Sequence, residues 1–168
     1  MPFRAIDVDV DEVEAGPAEE VALQNARRKA LAGAAQAGGP VVGVDTVVSL
    51  DGANWGKPAD ADAARATLRA LSGRTHDVVS GVVVVEDNRA RTATETTRVT
   101  FHELGEPVVE WYLASGEWRG RAGGYAIQGR GGALVAKVDG DYLNVVGLPV
   151  GALAGLFGGF AAFLAEGT

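Results

Sequence analysis

The order of apolar and polar positions marks out the elements of this chain one after another. Arg4 to Val10 alternates loosely and predicts a strand running into an acidic cluster, Asp7, Asp9, Asp11, Glu12 and Glu14. Pro17, Glu19 and Glu20 then open a helix, since proline in the first turn and acids near the positive end of the dipole are both favourable. That helix is expected to reach Gly33 or Gly38, with Asn25 and Lys29 four apart on one face. Pro40 to Pro58 is the stretch the rest is organised around. Its β-branched run on both sides of Asp45 predicts a buried strand, followed by a turn at Asp51-Gly52 and a short loop that carries Lys57.

Asp60 is a good N-cap for a helix through Ala64, Leu68 and Leu71, closed by Gly73. Thr75 to Glu86 and Arg91 to Leu104 read as two long antiparallel strands around a turn at Asp87-Asn88, and Pro107 starts a short helix. Ser115 to Gly132 is dense in glycine, which permits close backbone approach to a ligand, and Arg119, Arg121 and Arg130 bring positive charge to it. Ala133 to Val138 is a last strand. After Pro149, the large residues Leu153, Leu156, Phe157, Phe160 and Leu164 follow a helical period and predict a packing helix.

Composition narrows the classes. A length of 168 residues with 47% hydrophobic content suits a single domain spanning 1–168 with a real core. The formal charge of -7 argues against sequence-independent binding to a nucleic-acid backbone. There is no cysteine and only His76 and His102, which excludes disulfides, thiolate zinc sites and multi-histidine metal sites and suggests a reducing, cytoplasmic setting. No basic-then-apolar leader opens the chain. The uncharged stretch from Tyr142 to Ala165 is split by Pro149 and flanked by Asp141 and Glu166, so no membrane partner is expected.

The candidate chemistry begins at Asp45. A carboxylate inside a buried strand costs several kcal/mol unless it meets a cation, a metal or hydrogen-bond donors, typically on the order of 3 to 5 kcal/mol when left unpaired. It is therefore either one half of an ion pair holding a strand to its neighbour or a working group. The acidic cluster is either solvated or a site for a divalent cation. Two nucleotide motifs fail: Leu134 stands where the dinucleotide fingerprint needs a third glycine or alanine, and Gly56-Lys57-Pro58 lacks the Ser or Thr of a phosphate loop.

Seven short motifs in one order go further. They are Asp11-Glu12, Lys29-Ala30, Val44-Asp45-Thr46-Val47-Val48, Gly56-Lys57-Pro58, Leu71 to His76, Gly124-Tyr125-Ala126-Ile127-Gln128-Gly129, and Gly140-Asp141-Tyr142 leading to Gly147-Leu148-Pro149. With them the chain closely resembles the Maf family of nucleoside triphosphate pyrophosphatases over nearly its whole length. The resemblance implies a mixed α/β fold, with a long twisted sheet flanked by helices and a cleft between two lobes. It implies a divalent-metal reaction, with Mg²⁺ or Mn²⁺, that splits a nucleoside triphosphate between its α and β phosphates. By matching position it makes Asp45 the acid-base residue and places Glu12, Lys29 and Lys57 at the metal and phosphate site, with Glu12 and Asp45 toward the metal. Thr46, where the 7-methyl-GTP branch carries Gln, and Gln128 point to the dTTP/UTP branch. A second copy of the chain, as a homodimer, is left open as a partner.

The chain also departs from the family. Members begin with a strand and a Ser-x-Ser-Pro-Arg-Arg turn that holds the triphosphate, and Met1 to Arg4 offers no match to it. The family's Asp-Lys-Ala-Gly is replaced by Gly120-Arg121-Ala122-Gly123, and Ser80 stands for a usual threonine. The expectation from these changes is a poor catalyst, with a catalytically weak or inactive nucleotide-binding protein of the same fold as the alternative reading.

Overall fold

The computed structural model describes residues 4–37, 39–87, 89–159, 162 and 165. Five helices are described: α1 Ala18–Ala34, α2 Ala61–Leu71, α3 Glu106–Ser115, α4 Tyr142–Val146 and α5 Val150–Leu156. They surround one sheet of β1 Val41–Leu50, β2 Ala53–Trp55, β3 Thr75–Glu86, β4 Arg89–Phe101 and β5 Val135–Asp139. Its order is β2-β1-β3-β4-β5, and every pairing is antiparallel. β3 and β4 form the expected long hairpin, paired from Thr75↔Thr100 to Glu86↔Arg89. Of the turn expected at Asp87-Asn88, Asn88 lies outside the described residues, as do Gly38, Phe160, Leu164 and Glu166.

Side chains alternate across each strand, so β1 and β3 serve two different neighbours. On one face Val47 and Val79 pack on Val21 and Ala22 of α1, and Val83 packs on Ala26 and Ala30. Two glycines let α1 settle this low. A Cβ on Gly43 would lie 2.6 Å from the Ala30 nitrogen, and one on Gly81 would lie 2.6 Å from the Ala22 carbonyl. On the other face Val48, Val78, Val99 and Phe101 form the main core with α2 and α3. Asp60 caps α2 as expected, accepting from the Ala63 N–H at 2.8 Å. Further along this face Val82 and Val84 receive Leu153 and Phe157 from α5 and the residue after it. Between the α2–α3 body and α5, α4 sits on the same face, with Val145 and Val146 against the main core.

Two expectations are corrected. Residues 4–14 take no regular secondary structure instead of a strand over Arg4 to Val10. Their alternation is real, with Ile6, Val8 and Val10 half-buried and the aspartates exposed, but alternation specifies a burial face and not a ladder partner. Side chains anchor this segment instead: Arg28 donates to the Asp11 carbonyl, and Asn54 donates to the carbonyls of Glu14 and Gly16. The expected C-terminal helix is interrupted: α5 is Val150–Leu156, Gly158 and Gly159 take φ of 85° and 107°, a left-handed conformation that ends a helix, and Ala162 and Ala165 are helical again.

Candidate active site

Asp45 sits at the centre of β1, 8% exposed, on the face that α1 covers. Its Oδ1 accepts from the Lys29 ammonium at 2.5 Å and its Oδ2 from Asn25 Nδ2 at 3.1 Å. Lys29 and Asn25 are one turn apart on α1, so a single helix supplies both partners. Lys29 also meets Glu12 at 2.8 Å, and Glu12 meets Lys57 at 3.3 Å. The result is an alternating row, Asp45, Lys29, Glu12 and Lys57. It passes from a buried carboxylate to a lysine whose side chain is 52% exposed.

This geometry sets the charges. Burial pushes the Lys29 pKa down, but hydrogen bonds and attraction from Asp45 and Glu12 outweigh it and hold the pKa above the ordinary lysine value. The hydrogen bond from Lys29 holds Glu12 below the usual carboxylate range, aided by Lys57 and opposed by partial burial. Both groups are ionised at neutral pH.

Asn25 makes the arrangement possible, and the sequence pointed to it only as a neighbour of Lys29 on the same helix face. Buried to 2% exposure, it accepts from the Val13 N–H at 2.7 Å and donates to the Val13 carbonyl at 2.9 Å. One side chain thus fastens the backbone beside Glu12 and also touches Asp45. Of the acidic cluster, Glu12 is the residue that joins this row.

A cleft of about 350 Å³ opens beside these groups. Lys29, Asp45, Thr46, Lys57, Arg121 and Gln128 line it, and the end of α4 closes the far side with Val145, Val146 and Gly147. Asp45 and Thr46 face opposite sides of β1, yet both reach the cleft. Among the described residues β1 pairs with β2 only through Val48–Leu50, which leaves its outer edge open along Val41–Val47. Thr46 Oγ1 shares a 2.8 Å hydrogen bond with the buried Ser80 hydroxyl of β3. Asn144 of α4 is fully buried and donates to the carbonyls of Val78 and Glu95 and to Thr97 Oγ1, which fixes the far wall to the sheet. The glycine-rich segment forms the near wall, docked where the Gly123 N–H donates to the Gly56 carbonyl beside Lys57. Of its arginines, Arg121 enters the cleft, whereas Arg119 stacks on Trp118 and Arg130 on Trp111.

A cleft lined by three cations, Lys29, Lys57 and Arg121, and by the amide of Gln128 defines an α/β protein able to receive a small polyanion with a polar head group. A family model described as Maf-like protein matches residues 1–160, and the chain belongs to that family. A Pyrococcus furiosus protein named dTTP/UTP pyrophosphatase is 41% identical over 145 residues, which is 86% of this chain and 76% of that protein. Proteins of the same name from Exiguobacterium sibiricum and Symbiobacterium thermophilum are 49% identical over 133 residues and 43% identical over 153. The first match covers 79% of this chain and 68% of its relative, the second 89% and 79%. Among the described residues no helix is long and apolar enough to cross a membrane.

Proposed function

We propose that this chain hydrolyses dTTP and UTP to the monophosphate and pyrophosphate, in the cytoplasm, at the cleft beside Asp45. The observation that carries the reading is the buried Asp45 carboxylate, held by Lys29 and Asn25 at the head of a cleft that also contains Lys57 and Gln128. Relatives named for this activity support it.

The chemistry follows from charge. Water must approach an α-phosphorus shielded by anionic oxygens, so neutralisation and alignment matter more than a covalent intermediate. Lys29 and Lys57 hold the phosphate oxygens. Asp45 orients the attacking water and takes its proton, while the bond from the α-phosphorus to the bridging oxygen breaks and pyrophosphate leaves with that electron pair. Thr46 and Gln128 meet the base, where an amide carries both the acceptor and the donors that an imide edge such as thymine or uracil requires.

A divalent cation, Mg²⁺ or Mn²⁺, belongs to this reading, and the donors fit one. Asp45 and Glu12 both present oxygen to the Lys29 ammonium. Hard cations prefer oxygen, and magnesium takes one or two protein carboxylates with substrate phosphates completing its shell. Among the described residues no group of three or more His, Cys, Asp or Glu side chains is placed to hold a metal ion by itself. When bound, such a cation neutralises phosphate charge as a Lewis acid.

The test is pyrophosphate release from a panel of nucleoside triphosphates with Mg²⁺ or Mn²⁺. Turnover led by dTTP and UTP is expected. A panel led by a purine, or no release from any member, would overturn the reading.

A further inference from the structure

His76 of β3 is 1% exposed, and its position has no part in the chemistry above. Its Nε2 shares a 2.9 Å hydrogen bond with the Tyr125 hydroxyl, and its Nδ1 is buried without a partner. Phe101 packs edge-on to both rings, with centroids at 5.0 Å from His76 and 4.8 Å from Tyr125. A packing residue in this apolar corner could be any ring of similar size. An imidazole with one nitrogen unsatisfied is a costly choice there, so its single hydrogen bond calls for an explanation.

Tyr125 leads into the residue that faces the base. It lines the cleft with its neighbour Ala126, whose N–H donates to the buried Tyr112 hydroxyl at 3.0 Å. The Ala126 carbonyl then accepts from the Gly129 N–H at 3.1 Å and closes a turn with Gln128 inside it. Gln128 itself is exposed. An amide that can turn over serves a thymine edge or a cytosine edge equally, so selection between them depends on where its backbone is held. The backbone is held at the entry to the turn, by Tyr112 on one side and by His76 through Tyr125 on the other.

The same strand also controls the opposite side of the base site. His76 and Ser80 share one face of β3, and Ser80 holds the Thr46 hydroxyl. Four steps of extended strand separate them, a fixed span of roughly 13 Å.

We propose that His76 is a positioning residue for nucleobase selection, fixing through Tyr125 the turn that carries Gln128 relative to the Thr46–Ser80 pair. This rests on the pyrimidine-nucleotide reading above.

The experiment compares dTTP with dCTP for the parent, His76→Phe, Tyr125→Phe, the double variant, and His76→Gln, which keeps a hydrogen-bonding nitrogen near the Nε2 position. Either phenylalanine is expected to lower the dTTP-to-dCTP ratio of kcat/KM by about 10-fold, mainly through KM. The double variant should lose no more than either single one, because both remove the same bond, and His76→Gln should recover most of the ratio. Calorimetric binding of the same two nucleotides reads the ratio without turnover. If the parent selects dTTP and the variants keep that selection while losing only thermal stability, His76 is packing and the proposal is wrong. Additive losses in the double variant would overturn it equally. A parent that shows no preference for dTTP over dCTP in turnover or binding overturns the dTTP/UTP selectivity of that reading, and the proposal with it.

Discussion

Gly81 lies directly opposite Asp45 across the β1–β3 ladder, and the missing side chain at one position is what equips the other. A Cβ at residue 81 would sit 2.6 Å from the backbone of Ala22 and Leu23. The helix therefore rests on bare backbone at that point, at a depth from which Lys29 and Asn25 reach the carboxylate. Gly81→Ala is expected to lift α1, with a loss of about 1 to 3 kcal/mol in stability as in other overpacked sites. Activity should fall more than stability accounts for, measured as pyrophosphate release at a temperature where the variant remains folded.

Asp45→Asn keeps the shape of the side chain and an acceptor for Asn25, but removes the charge and the proton-accepting oxygen. Turnover of dTTP should drop by about 10² to 10⁴, with circular dichroism unchanged. A variant as fast as the parent would reduce Asp45 to an ion-pair anchor for α1.

Gln128→Ala leaves the polar edge of the base without its partner. A loss of roughly 1 to 3 kcal/mol in kcat/KM for dTTP and UTP is expected. ATP, a poor substrate in this reading, should change little. Equal losses across the panel would mean that Gln128 supports the cleft without reading the base.

Burial lowers the pKa of His76 from 6.5 to about 4. Between those values the unfolded chain binds the proton and the folded chain does not, so stability falls as pH drops from about 6.5 and levels off near 4. The contribution is at most about 3 kcal/mol. Glu12 also loses stabilisation on acidification, since its folded pKa is lowered. Urea unfolding of the parent and His76→Gln across this range isolates the histidine share, and the two stability curves should converge as the pH falls. Curves that stay parallel would show that His76 is protonated with equal ease in both states.

What could be read beforehand was whatever local pattern determines. The β-branched run marked β1, the Asp60 cap marked α2, and the paired runs marked the β3–β4 hairpin, because burial face and capping act within a few residues. Pairing over distance was not legible. The alternation of Arg4 to Val10 was real, but nothing in it states which edge, if any, supplies hydrogen bonds. The helical period after Pro149 continued past Gly158, where backbone conformation and not hydrophobicity ends α5. In the site, the shared face of Asn25 and Lys29 could be seen. Asn25's other partner, Val13, could not, because irregular chain has no periodicity to betray it. His76 and Tyr125 lie 49 residues apart, and only the fold brings them together.

The row from Asp45 to Lys57 also bears on which anions can enter. Lys29 and Lys57 are already engaged by carboxylates, and the chain as a whole carries a formal charge of -7. A singly charged or small anion has less to gain, since an internal carboxylate already offsets part of the charge of each ammonium it approaches. A triphosphate brings several charges at once and can draw both lysines together. In the proposed reading the paired row sets a threshold, favouring a ligand of high charge density over the inorganic phosphate that surrounds any nucleotide enzyme.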